Sequence, residues 1–384
     1  MSRVQQLAFA LRQERAQADQ HLRSFADEGT FPRVQGSEAT FFFWDGGEAD
    51  EVILIHWVFG LESRQAFERL PGTQAFVLQL DLPAAARVEY KLELVRRGEK
   101  HWIRDPRNPL QARDPFGANS VCQMPGYEEP PWIDELPEGQ GGELEPHVIR
   151  SEIWGAPRRV VVYLPFEYRP TKRLPLLICH DGTDTLRFAA AKQVLDNLIR
   201  RHEVRPLIVA FVDPGGSRNQ EYAANPLQAR FLVEEVLPWI EREYPIRPSP
   251  AERGLMGASF GAVSALHAAW TYPGVFGRLM LQSGSFAFTD IGTHDRGPLW
   301  DPVVDFVNAF REDPGRVDAR MFLSCGCFES LIYYNRSLVP RLRAAGLQTR
   351  FVESLDGHNW ISWRDRMRDG LTWLFPGHLW MYYE

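Results

Sequence analysis

The chain has few cysteines, no long apolar run and no excess of positive charge. Four cysteines in 384 residues are too few for a disulfide framework, and none lies at the Cys-x-x-Cys spacing of redox or zinc sites. We therefore expect reduced cysteines, no metal and no other cofactor. No apolar stretch is long enough to cross a bilayer, and the polar start lacks the apolar core of a signal peptide, so a cytoplasmic location is expected.

The charge balance also limits the partners of the protein. A net charge of -7 argues against a nucleic acid or an anionic membrane surface as the main partner. It does not exclude a small anionic ligand, because a few local arginines reverse the field in a cleft. The length predicts about two domains. The sequence leaves the oligomeric state open.

The first third of the chain is expected to be mostly β-structure. Residues 1–30 predict one exposed amphipathic helix, which Gly29 ends. Residues 31–116 predict a small β-sandwich domain, because short strand-like runs follow one another with Gly, Pro or Asp between them. Residues 117–146 are rich in Pro, Gly and Glu and predict a surface linker.

Residues 147–384 have a different rhythm. Short apolar runs that are typical of buried strands, such as 160–164, 174–179 and 207–212, alternate with segments of helical periodicity. Alternation of this kind predicts an α/β domain with a mostly parallel sheet and helices on both faces.

One short motif carries the clearest chemical signal. Gly257-Ala-Ser259-Phe-Gly261 lies between an apolar strand and a helical segment. A serine on such a tight turn is held exposed, the glycines leave room for close packing, and the new helix directs its positive end at a developing oxyanion. The alternative is a glycine-rich turn with an incidental serine. The flanking strand and helix favour Ser259 as a nucleophile.

A serine hydroxyl needs a base to accept its proton. His358 follows the last predicted strand, where the order nucleophile, acid, histidine places the base. Glu329, in the turn after the preceding strand, is our candidate for the acid that orients the imidazole, and Asp356 is its rival. His180 and His267 are better interpreted as structural or pocket-lining residues.

An oxyanion hole needs two backbone N–H groups. The sequence predicts one from Phe260, which follows the nucleophile, and one from Thr183, in the loop after an early strand. Gly182 permits a close approach in that loop. His180, Asp181 and Asp184 lack a further partner at metal-binding spacing, so we expect no metal there.

Together these residues resemble the enterochelin (ferric enterobactin) esterase family, within the esterase-D-like group. The resemblance extends over nearly the whole chain and is most specific in five segments: Asp181-Gly182, residues 257–261, Gln282-Ser-Gly-Ser285, Glu329 with Asn335, and residues 356–364. It implies an α/β-hydrolase domain preceded by a sandwich-like, early-set-like N-terminal domain. It also implies hydrolysis of the esters of a trilactone siderophore, with a carboxylate at position 329 as the acid.

The resemblance also indicates where a small ester substrate would bind. The matched residues Asp181, Gly182 and Trp360 are expected to line the site, and Arg218 and Arg364 are candidates for binding catecholate or carboxylate groups. One feature departs from the family pattern. Its siderophore enzymes have an aromatic residue soon after Asp-Gly, whereas this chain continues Thr183-Asp-Thr-Leu.

Three functions therefore stand at this point. The leading one is a serine carboxylic ester hydrolase that acts on a trilactone siderophore. A general or carbohydrate-ester hydrolase, of the feruloyl or acetyl type, is the alternative among enzymes. The third is a non-catalytic binding protein on a hydrolase scaffold, which the complete set of Ser259, Glu329 and His358 disfavours. Transfer of the acyl group to an alcohol also stays open.

Overall fold

The computed structural model describes residues 3–289 and 296–377. The chain forms two compact units. The first contains Met1–Glu129 together with two short later segments, Cys327–Ser330 and Leu355–Gly357, and the second contains the rest of the chain. Both short segments fall inside the C-terminal domain that the sequence predicts, so a division by sequence position alone does not describe these units.

The described part of the first unit contains two α-helices and ten strands. The helices are α1 (Arg3–Gln13) and α2 (Ala18–Asp27). The strands are β1 (Arg33–Gln35), β2 (Glu38–Phe43), β3 (Glu51–His56), β4 (Arg64–Ala66), β5 (Glu68–Arg69), β6 (Phe76–Asp81), β7 (Arg87–Arg96), β8 (Glu99–Ile103), β9 (Gln111–Asp114) and β10 (Gly117–Gln123). They form one sheet of order β1-β2-β6-β5 and a second of order β4-β3-β7-β10-β9, in which β8 also pairs with β7.

Strand β2 has apolar side chains on both faces, and each face packs in a different core. Phe41 and Phe43 join a core with Leu54 and Leu92 of the other sheet. Phe42, which points to the opposite face because strand side chains alternate, packs in a second core with α1 and α2. The two sheets and the helix pair are therefore stacked layers.

The N-terminal segment differs from the prediction of one exposed helix. A short 3₁₀ turn, Arg15–Gln17, separates α1 from α2. Leu11 and Leu22 are each only 1% exposed, because both helices pack their apolar residues against the sheet. Tertiary packing here overrides the helical propensity that favours a single helix. The segment predicted as a linker also begins differently, since its residues 117–123 form β10.

The second unit contains eight strands and nine further α-helices in its described part. The strands are β11 (Glu143–Ser151), β12 (Ala156–Leu164), β13 (Leu176–His180), β14 (Ile208–Val212), β15 (Arg253–Ala258), β16 (Arg278–Gln282), β17 (Arg320–Gly326) and β18 (Thr349–Ser354). The helices are α3 (Gly182–Phe188), α4 (Ala191–Arg200), α5 (Arg218–Tyr222), α6 (Pro226–Arg230), α7 (Leu237–Glu243), α8 (Phe260–Thr271), α9 (Asp301–Glu312), α10 (Ile332–Ala344) and α11 (Trp360–Leu374). A π-helical segment, Phe231–Val236, joins α6 to α7.

The eight strands form one sheet of order β11-β12-β14-β13-β15-β16-β17-β18. The pairs β11–β12 and β12–β14 are antiparallel, and every other neighbouring pair is parallel. This confirms the mostly parallel sheet that the sequence predicts. None of the helices in the described ranges is long and apolar enough to span a membrane.

Both faces of this sheet are covered. Along β13, Leu176 and Ile178 enter a core that includes residues of α8 to α10, whereas Leu177 enters a core on the other face with residues of α4 and α11. All three are at most 1% exposed. Burial on both faces explains why these strands are continuous apolar runs rather than alternating ones.

Candidate active site

Ser259 lies on a strained turn at the carboxyl end of β15. Its backbone has φ 58° and ψ −123°, values that a residue with a side chain rarely adopts, and α8 begins at the next residue. Such strain at one non-glycine residue is typical of functional sites. The turn holds the serine between the end of a central strand and the positive end of a helix.

Two glycines permit this turn. A Cβ atom on Gly257 would lie 2.3 Å from the backbone C and O of Gly261, which is impossible without movement of the chain. A Cβ on Gly261 would lie 3.3 Å from the side chains of His180 and Asp181, a tight contact. The spacing of the motif therefore has a steric cause in this structure.

Gln282 at the end of β16 and Ser285 in the segment after it bind the backbone of Ser259. The Ser259 N–H donates to the Gln282 carbonyl over 3.0 Å, and the Ser285 N–H donates to the Ser259 carbonyl over 3.3 Å. The hydroxyl oxygens of Ser259 and Ser285 are 3.3 Å apart. Ser285 thus contacts the candidate nucleophile directly, a contact that the Gln-Ser-Gly-Ser segment did not by itself reveal.

The three candidate triad residues follow strand ends at one edge of the sheet. Ser259 follows β15, Glu329 lies three residues after β17, and His358 lies four residues after β18. The strands β15 to β18 are consecutive neighbours and parallel, so their carboxyl ends share one edge. This is the edge at which open α/β sheets bind ligands.

His358 is packed by an aromatic residue that is tied to the neighbouring strand end. The imidazole and the indole of Trp363 meet edge to face, with centroids 5.1 Å apart. The Trp363 indole N–H donates to the Ser283 hydroxyl over 2.8 Å, and its carbonyl accepts from the Gln282 side chain over 2.8 Å. Trp363 therefore links the start of α11 beside His358 to the same Gln282 that binds the backbone of Ser259.

Glu329 and Asp356, the two candidates for the acid, differ in their surroundings. Asp356 is 4% exposed and its carboxylate accepts from the guanidinium of Arg87 over 3.2 and 3.4 Å. Its Oδ1 also accepts from the Gly357 N–H over 2.7 Å. Glu329 is 2% exposed. Arg87 and the Gly357 N–H therefore hold the Asp356 carboxylate, and both candidate acids are buried.

The two predicted oxyanion donors, the N–H groups of Phe260 and Thr183, differ in whether they are available to a substrate. Phe260 is the first residue of α8, where backbone N–H groups lack partners within the helix. The Thr183 N–H, in contrast, donates to Asp213 Oδ1 over 2.6 Å, and the Thr183 hydroxyl donates to Asp213 Oδ2 over 2.5 Å. Thr183 as the second oxyanion donor is therefore wrong, since a carboxylate already holds this N–H.

Asp181 and Arg218 act as a pair. Arg218 donates from Nε and Nη2 to the two carboxylate oxygens over 2.5 and 2.6 Å. Burial alone would lower the pKa of Arg218, but the hydrogen bonds to Asp181 raise it above its usual value. Gly182 has a packing role, because a Cβ there would lie 2.3 Å from the backbone of Phe211 in β14.

Trp360 and Arg364 lie in the first turns of α11. Trp360 lines a small, mostly apolar cavity with Gly257 and Ala258, which has room for about one water molecule. Arg364 is 6% exposed and its Nε donates to Asp365 over 2.9 Å. The guanidinium is thus largely buried beside Asp365, and the binding of substrate groups by Arg364 stays a prediction.

His180, which the sequence indicates is a structural or pocket-lining residue, lines the same small cavity and binds within the fold through both ring nitrogens. It is 2% exposed, its Nδ1–H donates to the Met256 carbonyl over 2.9 Å, and its Nε2 accepts from the Ser264 hydroxyl over 3.0 Å. Burial lowers the pKa of His180, so the imidazole is neutral at pH 7. No cluster of metal-binding side chains occurs among residues 3–289 and 296–377.

The chain is similar to known esterases over most of its length. Residues 151–374, more than half of the chain, match the family described as "Putative esterase". The iron(III) enterobactin esterase of Escherichia coli O6:H1 (strain CFT073) is 27% identical over 87% of this chain and 90% of its own. The enzyme of the same name from Dickeya dadantii is 24% identical over 82% and 80%.

Solved structures show the same fold. The ferric enterobactin esterase of Salmonella typhimurium superposes with a TM-score of 0.74 at 22% identity, over 88% of this chain and 93% of that one. At this identity the likeness concerns the fold, which is α/β-hydrolase-like. The resemblance inferred from the motifs is thereby confirmed along most of the chain. The chain belongs to the esterase family and is a carboxylic ester hydrolase.

Proposed function

We propose that Ser259, His358 and Glu329 form the catalytic triad of a serine esterase. The observation that carries this proposal is the strained Ser259 backbone, at φ 58° and ψ −123°, between β15 and α8. Two glycines, Gly257 and Gly261, allow it at positions where a Cβ would meet close neighbours. Strain of about 1–3 kcal/mol is retained only where the surrounding structure enforces it, which is typical of a nucleophile held ready for attack.

The proposed mechanism follows acyl transfer through a covalent intermediate. His358 accepts the proton of the Ser259 hydroxyl as the oxygen attacks the ester carbonyl, and then gives this proton to the leaving alcohol. Water, activated in the same way, attacks the acyl-serine and releases the acid and the free serine. Glu329 accepts a hydrogen bond from the imidazole and stabilises its protonated form.

The tetrahedral intermediates carry a negative oxygen that must be stabilised. The N–H of Phe260 is the proposed donor, because it follows the nucleophile and opens α8. The partial positive charge at the N-terminus of this helix adds to the effect. Because the Thr183 N–H is bound to Asp213, we propose no role for it.

We further propose that the substrates are esters of a siderophore such as the trilactone enterobactin. The curated relatives that match most of this chain are named for iron(III) enterobactin or salmochelin. A solved structure of similar fold was determined in the presence of enterobactin. Arg218, whose side chain is one-third exposed, and Trp360 are the predicted substrate-binding residues that keep part of their side chains accessible.

The domain division also remains our proposal. We infer that residues 31–116, with the strand β10, form a β-sandwich of the early-set type, because two antiparallel sheets there share one core. We propose 147–384 as the catalytic domain, since this stretch of the sequence contains all the parallel strands, β13 to β18, and the positions of all three triad residues.

A panel of three esters tests the substrate. We expect iron(III) enterobactin to give a higher kcat/KM than ethyl ferulate or p-nitrophenyl acetate. The linear hydrolysis products of enterobactin are separated and quantified by chromatography. The Ser259→Ala variant serves as the blank for each ester. If ethyl ferulate gave the highest kcat/KM, the feruloyl-type alternative would replace the siderophore proposal. The proposal of the catalytic triad would not be affected.

A further inference from the structure

We propose that Arg87 is a positioning residue for catalysis, which holds the loop directly before His358. The inference rests on the proposed role of His358 as general base. Arg87 is the first residue of β7, and the loop Leu355–Gly357 belongs to the same compact unit.

Arg87 binds this loop at two points. Its backbone N–H donates to the Leu355 carbonyl over 2.9 Å. Its guanidinium donates to the two carboxylate oxygens of Asp356 over 3.2 and 3.4 Å and to Glu89 over 2.9 Å. A single residue thus holds both the backbone and the side chain of the segment that leads into His358.

The ion pair is buried. The side chains of Arg87, Asp356 and Glu89 are 3%, 6% and 8% exposed. Burial alone would lower the pKa of Arg87, but the carboxylates of Asp356 and Glu89 raise it well above its usual value. The guanidinium therefore stays charged. Little water reaches the pair, so the attraction between its charges is only weakly screened.

The same loop is also bound to the segment that carries Glu329. The Phe328 N–H donates to the Asp356 carbonyl over 3.1 Å. Asp356 therefore lies two residues before the proposed base, and its backbone partner lies one residue before the proposed acid. Arg87 therefore holds, through Asp356, a backbone segment that is next in the chain to His358 and hydrogen-bonded to the residue before Glu329.

A purely stabilising ion pair would make the same contacts, so the test must separate positioning from stability. Replacing Arg87 alone leaves Asp356 and Glu89 buried without their cation, which destabilises the fold. The double variant Arg87→Met/Asp356→Asn removes one charge of each sign. It leaves less uncompensated charge in the interior and provides a folded protein without the ion pair.

The experiment measures kcat and KM for p-nitrophenyl acetate, and the thermal midpoint by circular dichroism, in four variants. They are Arg87→Met, Arg87→Lys, the double variant and Arg96→Met. Arg96 is the matched control, because it ends the same strand and also pairs with two carboxylates, Asp45 and Glu48, far from the loop in sequence.

We expect Arg87→Met to lower kcat about 10-fold with KM changed less than about 3-fold, since a displacement of a catalytic group by about 1 Å costs up to about 100-fold. Arg87→Lys should recover part of kcat, because its ammonium reaches one carboxylate. The double variant should regain much of the thermal midpoint but not kcat. Arg96→Met should keep the wild-type kcat.

Two results would overturn the inference. One is a wild-type kcat in folded Arg87→Met. The other is a double variant in which kcat returns together with the thermal midpoint, which would make the pair purely structural. If Arg87→Met does not fold, the inference is tested by kcat and the thermal midpoint of Arg87→Lys and of the double variant. Absence of turnover in the wild type would refute the proposed function itself, and the inference with it.

Discussion

Replacing Gly257 with alanine should damage catalysis more than stability. The added Cβ would lie 2.3 Å from the C and O atoms of Gly261, whereas an ordinary carbon contact is about 3.5 Å. The turn around Ser259 must therefore move by about 1 Å. A displacement of that size at the nucleophile costs up to about 100-fold in rate. Overpacking of a well-filled site costs about 1–3 kcal/mol of stability.

The assay compares kcat for p-nitrophenyl acetate and the free energy of unfolding in urea. Gly315→Ala is the matched control, since a Cβ there meets nothing within 4 Å and its backbone is ordinary. We expect Gly315→Ala to behave as the wild type in both assays. If folded Gly257→Ala kept its activity within about 3-fold, the steric account of the turn would be refuted.

Three further predictions concern the acid, the turn and a buried histidine. Glu329→Gln should lower kcat by about 10³- to 10⁴-fold, and a variant that keeps a tenth of the activity would exclude Glu329 as the acid. Ser259→Gly should be more stable in urea than Ser259→Ala by about 1 kcal/mol, because glycine tolerates φ 58°; equal stability would argue against strain. Burial lowers the pKa of His267 from 6.5 to about 4, so the unfolded chain binds its proton first as the pH falls. The contribution of His267 to the free energy of unfolding should therefore be fully present above about pH 6.5 and should fall by about 3 kcal/mol towards pH 4. In urea unfolding, the free energy of His267→Gln should depend less on pH in this range.

The sequence predicts those parts of the fold that depend on local patterns. The strand β13 is buried on both faces, as its continuous run of apolar residues indicates. The turn at Ser259 follows from two glycines at fixed spacing. These features are set by residues close together in the chain, so a pattern of neighbouring residues is enough to find them.

Pairings between distant residues are not visible in such patterns. Asp213 takes the Thr183 N–H although 30 residues separate them, and Arg87 binds Asp356 across 269 residues. An arginine in a charged helix, such as Arg364, looks accessible in the sequence, yet packing buries it beside Asp365. The partners of Thr183 and Arg87, and the burial of Arg364, are set by tertiary structure, which spacing along the chain does not encode.

The most direct test of the account is stoichiometric labelling of the nucleophile. The folded protein is treated with a fluorophosphonate, which phosphonylates activated serines, and the modified peptide is identified by mass spectrometry while hydrolysis of p-nitrophenyl acetate is followed. We predict one label per chain, on Ser259, with activity lost in proportion to labelling, and neither label nor turnover in Ser259→Ala. Turnover that persists in Ser259→Ala, or loss of activity through a label on another residue, would contradict the central claim.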